Sequence, residues 1–170
     1  ELARIFSRVG HVTNQIVFNP VRPYFIVKNY ANAFLRGDLR TGVSETIIYD
    51  SDIHISCYEY TRNGQYLLIG TIRGNILVFD DETKVRIAEI SGAHHDAGTD
   101  YSSGVKNISF GPDNGFFVSG GHDNILKFWN LATTKVEKTL AFSGHISNVI
   151  YSRNGQYVAC GCSGKVQVFD

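Results

Sequence analysis

Short apolar runs separated by polar turns recur along the whole chain. Val, Ile, Phe and Tyr dominate the runs, and Asn-Gly, Asp-Asn and Arg-Gly pairs stand between them. β-Branched and aromatic residues favour strands, and pairs that contain Gly or Asn favour tight hairpin turns. No segment shows a helical period over the length of a helix. The pattern therefore predicts an all-β chain of short antiparallel strands.

Four repeats organise these runs. YTRNGQYLLIG, FGPDNGFFVSG and YSRNGQYVACG are versions of one sequence, FNPVRPYFIVK is a weaker version, and a second apolar run follows each of them. The residues that close the second runs are spaced by 42, 50 and 40 positions: Asp38, Asp80, Asn130 and Asp170. Four short strands in about 40 residues are typical of one blade of a β-propeller.

The repeats predict a single region over 1–170 that consists of four-stranded antiparallel blades. We expect the blades at about 11–50, 53–90, 104–142 and 145–170, with residues 1–8 as the fourth strand of a preceding or closing blade. The longer middle interval falls in residues 91–104, SGAHHDAGTDYSSG, which we interpret as an inserted loop. The chain has no Met, even at position 1, so we expect a piece of a longer protein.

Charge and cysteine content narrow the class of protein. The 16 Lys and Arg residues balance the 16 Asp and Glu residues. Direct binding to nucleic acid or to an acidic membrane favours a basic excess, so we expect neither as a direct partner. No apolar run approaches the roughly 18 residues of a transmembrane helix. An odd number of cysteines, Cys57, Cys160 and Cys162, indicates reduced thiols and an intracellular location, cytoplasmic or nuclear. We expect neither a cofactor nor a metal site.

The repeats resemble those of the WD-repeat β-propeller family, in which a Gly-His pair precedes a Trp-Asp pair. Gly144-His145 precedes Phe169-Asp170, and Trp129-Asn130 stands in place of Trp-Asp in the third repeat. The resemblance implies four-stranded blades around a channel. It favours a section of a larger, seven-bladed type of propeller over a closed four-bladed ring. In such a section the rest of the propeller or another chain would cover the open blade faces, and Leu2–Phe6 would not pair with Val166–Phe169.

The resemblance also implies a buried polar tetrad in each complete blade. In the family a Ser or Thr, an Asp, a Trp and a His hold the blade together. The third repeat supplies Ser119, Asp123 and Trp129, and its histidine is His94 or His95, of which we assign His95. An indole N–H needs a buried acceptor, and a hydroxyl accepts from it while donating onward. We interpret this cluster as structural rather than catalytic.

Loops at one end of the blades are the candidate binding surface. Loops on a rigid scaffold carry recognition more often than the scaffold itself. The candidate partner-binding rim combines polar and aromatic residues of the inserted loop with residues of nearby turns: His94, His95, Asp96, Asp100, Tyr101, Arg73 and His122. A solvated loop without a partner is the alternative.

The family resemblance implies a non-catalytic scaffold that binds other proteins within a larger complex. A structural subunit of a chromatin-associated, cytoskeletal or ciliary assembly is equally compatible. A propeller enzyme, the remote alternative, would need polar residues that converge on the channel. The first strands offer only Glu59, Lys106 and asparagines there, and the chain lacks phosphate-loop, HExxH and GxSxG motifs. We therefore assign no catalytic residue.

Overall fold

A computed structural model describes residues 12–29, 33–47, 53–94 and 104–170. Regular structure in these ranges consists of β-strands: β1 Val12–Phe18, β2 Tyr24–Asn29, β3 Phe34–Asp38, β4 Ser44–Ile47, β5 Ile55–Tyr60, β6 Tyr66–Thr71, β7 Ile76–Asp80, β8 Arg86–Ile90, β9 Val105–Phe110, β10 Phe116–Gly121, β11 Ile125–Asn130, β12 Lys135–Ala141, β13 Ile146–Tyr151, β14 Val158–Cys162 and β15 Lys165–Phe169. The described ranges contain no helix long and apolar enough to cross a membrane.

The strands form four antiparallel sheets in chain order. These are β1–β4, β5–β8, β9–β12 and the three strands β13–β15. Tight turns make this order possible, because each strand reverses directly onto its predecessor. Gly64 and Gly155, from the Asn-Gly pairs, have φ values of 66° and 73°, a region that glycine adopts without steric cost. The predicted all-β propeller architecture is confirmed.

Apolar side chains between neighbouring sheets form the core. One cluster joins the first and second sheets around Phe34, Leu67 and Phe79. A second cluster joins the second and third sheets and contains Trp129, and a third joins the third and fourth sheets around Ile146. Burial of these faces against each other is the main stabilising term of stacked sheets.

The first strands of the four sheets line one side of the structure as neighbours. β1 contacts β5, β5 contacts β9, and β9 contacts β13. Hydrogen bonds cross these junctions: Ser56 Oγ donates to Val105 O at 2.6 Å, and Tyr151 N donates to Ser109 Oγ at 3.0 Å. The sheets therefore fan out around a common channel, as blades of a propeller do.

The ring is not closed within the described ranges, which fits a partial propeller. The outward face of the last sheet carries Ile150, Val166 and Val168, which are 57%, 75% and 62% exposed. Soluble proteins seldom leave such an apolar face uncovered. The prediction that Leu2–Phe6 does not pair with Val166–Phe169 involves residues outside the described ranges, and the predicted strand 1–8 lies wholly outside them. The blade boundaries and the closing strand therefore stay predictions.

Candidate functional site

The third sheet contains a hydrogen-bonded set of one Ser, one His, one Asp and one Trp. Trp129 Nε1 donates to Ser119 Oγ at 2.8 Å. Ser119 Oγ lies 2.6 Å from His94 Nε2, and His94 Nδ1 lies 2.9 Å from Asp123 Oδ1. A hydroxyl that accepts from the indole donates its own proton to Nε2, and Nδ1–H then donates to the carboxylate. Every polar atom in this chain of contacts has a partner.

Strand register brings these side chains together. Ser119 on β10 pairs with Lys127 on β11, and Phe117 pairs with Trp129. The Phe117 and Trp129 rings stack with centroids 5.9 Å apart and planes 9° apart. Asp123 Oδ1 also accepts from Ile125 N at 3.1 Å, which fixes the turn between the strands. Local hairpin geometry thus positions three of the four members.

Two glycines make room for the histidine. A Cβ on Gly121 would lie 2.3 Å from His94 Nδ1. Gly74, in the turn between β6 and β7, has φ 80°, and a Cβ there would lie 1.8 Å from His94 O. His94 N donates to Gly74 O at 2.9 Å. The second sheet therefore fixes the backbone of the residue whose imidazole completes the tetrad of the third.

The predicted tetrad needs a correction in its histidine. His95 was assigned, but the imidazole that contacts Ser119 and Asp123 belongs to His94, because the Gly74 contact fixes the chain at that residue. His95 lies outside the described residues. The assignment of His94 to the binding rim was also wrong, since its side chain is fully buried and both ring nitrogens are engaged.

The remaining rim residues fall into two groups. Arg73 is exposed, and His122 is half-buried with its ring stacked on His145 at 5.1 Å between centroids. The contacts of Ile72 N with His54 O and of His122 N with Gly104 O place these turns at the same end as the loops before β5 and β9. His95, Asp96, Asp100 and Tyr101 lie outside the described residues, so their part in a rim stays a prediction.

The exposed His145 shows why the fourth sheet lacks a tetrad like that of the third. The fourth sheet has Ala159 and Ser163 where Ser119 and Asp123 stand in the third. Without a buried hydroxyl and a turn carboxylate, the imidazole has no polar partner inside the sheet. It lies instead against His122 at the surface.

A second buried polar cluster, which the sequence analysis missed, surrounds Asp81 after β7. The Asp81 side chain is fully buried and accepts from the Tyr24 hydroxyl and, at 2.9 Å, from the Tyr60 hydroxyl. Arg22 and Lys84 each approach its carboxylate at 3.1 Å. Burial, followed by the Asp81 contact, raises the pKa of Tyr24 to about 12. This cluster links the first and second sheets, and the adjacent pair Asp80-Asp81 was its only sequence signal.

The channel side contains a cavity of about 390 Å³ lined by the first strands and the turns after them. We name it the channel cavity; its polar lining residues are Glu59, Arg62, Asn107, Ser109 and Asn148, and the exposed Phe18 and Ile150 are among the apolar ones. Burial raises the pKa of Glu59 to about 7. The sequence predicted that Glu59 faces the channel. It did not predict the cavity, because the lining residues come from four different sheets.

Metal and thiol chemistry have little support in the described ranges. They contain no group of three or more His, Cys, Asp or Glu side chains that could hold a metal ion. Cys57, Cys160 and Cys162 are buried free thiols. Burial raises the pKa of Cys57 to about 12, so this thiol is a poor nucleophile at neutral pH.

Comparison with known proteins agrees with this geometry. The model of the family described as WD domain, G-beta repeat matches residues 93–130 and 135–170. Polyadenylation factor subunit 2 of Candida albicans is 26% identical over 134 residues, which cover 79% of this chain and 23% of that protein. COMPASS component SWD2 of Saccharomyces cerevisiae is 24% identical over a gapped alignment of 190 positions, which covers 84% of this chain and 57% of that protein.

The crystal structure of RRP9 WD40 repeats superimposes with a TM-score of 0.76 at 18% identity. The match covers 95% of this chain and 48% of the RRP9 chain. This chain thus spans less than two thirds of the length of each of these three proteins. The chain carries WD40 repeats and has the fold of a WD-repeat β-propeller, of which the described sheets form a part.

Proposed function

We propose that this chain is a non-catalytic scaffold that binds other proteins as a subunit of a larger intracellular complex. The observation that carries the proposal is the burial and hydrogen bonding of the Ser119 hydroxyl in the Ser119–His94–Asp123 set. Its contacts resemble those of a nucleophile, a base and an orienting carboxylate, which would suit acyl transfer. The hydroxyl, however, is fully buried and accepts from Trp129 Nε1, so a substrate carbonyl has no path to it.

A rigid framework with loops at one end suits recognition rather than chemistry. The tetrad and the Asp81 cluster both use their polar atoms within the fold, and turns that carry Arg73 and His122 remain accessible beside them. Two relatives are named as a polyadenylation factor subunit and a COMPASS component, which supports membership in a complex. Three buried free thiols support a reducing compartment.

The test compares wild-type protein with an Arg73→Glu, His122→Ala variant in affinity capture from a cell extract, with quantitative mass spectrometry. The rim variant should lose co-purifying proteins while its free energy of unfolding stays within about 0.5 kcal/mol of wild type. Lys135→Glu, an exposed position on the outer strand β12, is the control for the same change of charge. Equal losses from both variants, or no stable partner for the wild type, would contradict the proposal.

A further inference from the structure

Glu59 differs from its counterparts in the other repeats. Tyr60, Phe110 and Tyr151 occupy equivalent positions in their repeats, so Glu59 corresponds to Ser109 and Ile150. The Ser109 hydroxyl accepts from Tyr151 N and so joins two neighbouring sheets. Among the described residues, Glu59 Oε1 accepts from Tyr60 N alone, its own chain neighbour, at 3.2 Å. The carboxylate therefore does not perform the joining role of this position.

Within the part of the chain that the structure describes, the Glu59 carboxylate forms no ion pair. Arg62, a basic residue beside it in the cavity lining, donates Nη2 to Phe110 O at 3.2 Å. In the described ranges no Lys, Arg or His nitrogen lies within ion-pair distance of Glu59. A half-buried carboxylate without an ion-pair partner destabilises a fold unless it serves another purpose. Burial is the main cause of its raised pKa, and the hydrogen bond from Tyr60 N and then the Arg62 charge offset that effect only in part.

The walls of the channel cavity suit a long cationic side chain. Phe18 and Ile150 line the cavity and supply apolar surface beside Glu59. The methylene stem of Lys or Arg packs on such a surface while its charged end remains in contact with polar groups or water. An aromatic face also attracts a cation. Asn107 Oδ1 accepts from Val149 N, which leaves its NH₂ group to donate to a ligand carbonyl.

We propose that the channel cavity binds a lysine or arginine side chain of a partner protein, with the Glu59 carboxylate as its counter-ion. The inference rests on the proposed scaffold function and specifies the chemistry of one of its partners. A free metal ion is a poor occupant because the site offers a single carboxylate, whereas hard cations require several oxygen ligands. Nucleic acid is a poor occupant because the carboxylate would repel phosphates.

The probes are four capped pentapeptides of sequence Gly-Ser-X-Ser-Gly, in which X is Arg, Lys, citrulline or norleucine. Binding is followed by amide chemical shifts of the isotope-labelled full chain. The Arg and Lys peptides should shift the amides of Glu59, Asn107 and Ser109, and the two neutral peptides should not. Glu59→Gln should weaken Arg-peptide binding about tenfold or more.

Acidification supplies an independent readout. Because Glu59 has a pKa of about 7, a change from about pH 8 to about pH 6 should protonate most of the carboxylate and weaken binding about tenfold. Glu137→Gln, at an exposed position on β12, is the matched control and should bind as wild type does. Equal binding of the citrulline peptide, no loss in Glu59→Gln, a loss in Glu137→Gln as well, or competition by an oligonucleotide would each overturn the site. If these peptides fail while rim-dependent capture persists, only this site is overturned.

Discussion

The tetrad of Ser119, His94, Asp123 and Trp129 leads to a quantitative prediction about coupling. Trp129→Phe removes part of a ring that is 3% exposed, together with the indole donor. Lost packing and an unfilled acceptor should cost about 1–3 kcal/mol of unfolding free energy. Ser119→Ala leaves both Trp129 Nε1 and His94 Nε2 without their partner, and at about 1–3 kcal/mol for each buried group it should cost about 2–6 kcal/mol.

The double variant should cost less than the sum of the single variants. Once the indole donor is absent, Ser119→Ala no longer leaves it unpaired, and only His94 loses its partner. The coupling free energy should therefore be about 1–2 kcal/mol. Ser147→Ala removes an exposed hydroxyl that donates to Gly161 O, and as a control it should change stability by less than about 0.5 kcal/mol.

The measurement is equilibrium urea denaturation followed by far-ultraviolet circular dichroism. Fluorescence is unsuitable because Trp129 is the only tryptophan of the chain. Single costs that add to the double cost within about 0.5 kcal/mol would refute the hydrogen-bonded pairing of the two side chains. A Ser147→Ala cost as large as that of Ser119→Ala would show that any loss of a hydroxyl destabilises this fold.

Two other stability predictions follow from buried carboxyl groups. Asp81→Asn should cost about 2–4 kcal/mol in the same denaturation assay, because the variant leaves Lys84 without a counter-charge and weakens the acceptor of two buried tyrosine hydroxyls, whereas Arg22 keeps its ion pair with Glu82. A cost below about 1 kcal/mol would contradict the role of the cluster. Glu59 has a folded-state pKa of about 7 against an ordinary 4.5, so its protonated form favours folding below pH 4.5 and that contribution is lost as pH rises through about 7. Relative to Glu59→Gln, the wild type should therefore lose about 1–3 kcal/mol over this range, and a constant difference between the two proteins would exclude a buried, unpaired Glu59.

The local sequence pattern was sufficient to predict the features that depend on residues close together in the chain. The Asn-Gly turns and alternating apolar runs predicted the hairpins, and the spacing of repeats predicted successive sheets. Ser119, Asp123 and Trp129 lie on one hairpin, so their register follows from the turn between β10 and β11. The sequence was enough to place three members of the tetrad within the same sheet.

The choice between His94 and His95 could not be made in this way. Adjacent residues in a loop differ in direction, and the direction here depends on a backbone hydrogen bond to Gly74 in the preceding sheet. The Asp81 cluster could not be predicted from sequence for a similar reason, because Tyr24 comes from the neighbouring sheet, 57 residues away in sequence.

By itself the sequence determined strand content, turn positions, repeat number and the chemistry available in each repeat. These depend on short-range backbone preferences and on the alternation of side chains along a strand. Only the tertiary structure decided which histidine is buried, which carboxylate is neutralised and which one, Glu59, lines a cavity without an ion pair to any described residue. Those outcomes depend on distances between sheets, where burial and Coulomb interactions are set by residues remote in the chain.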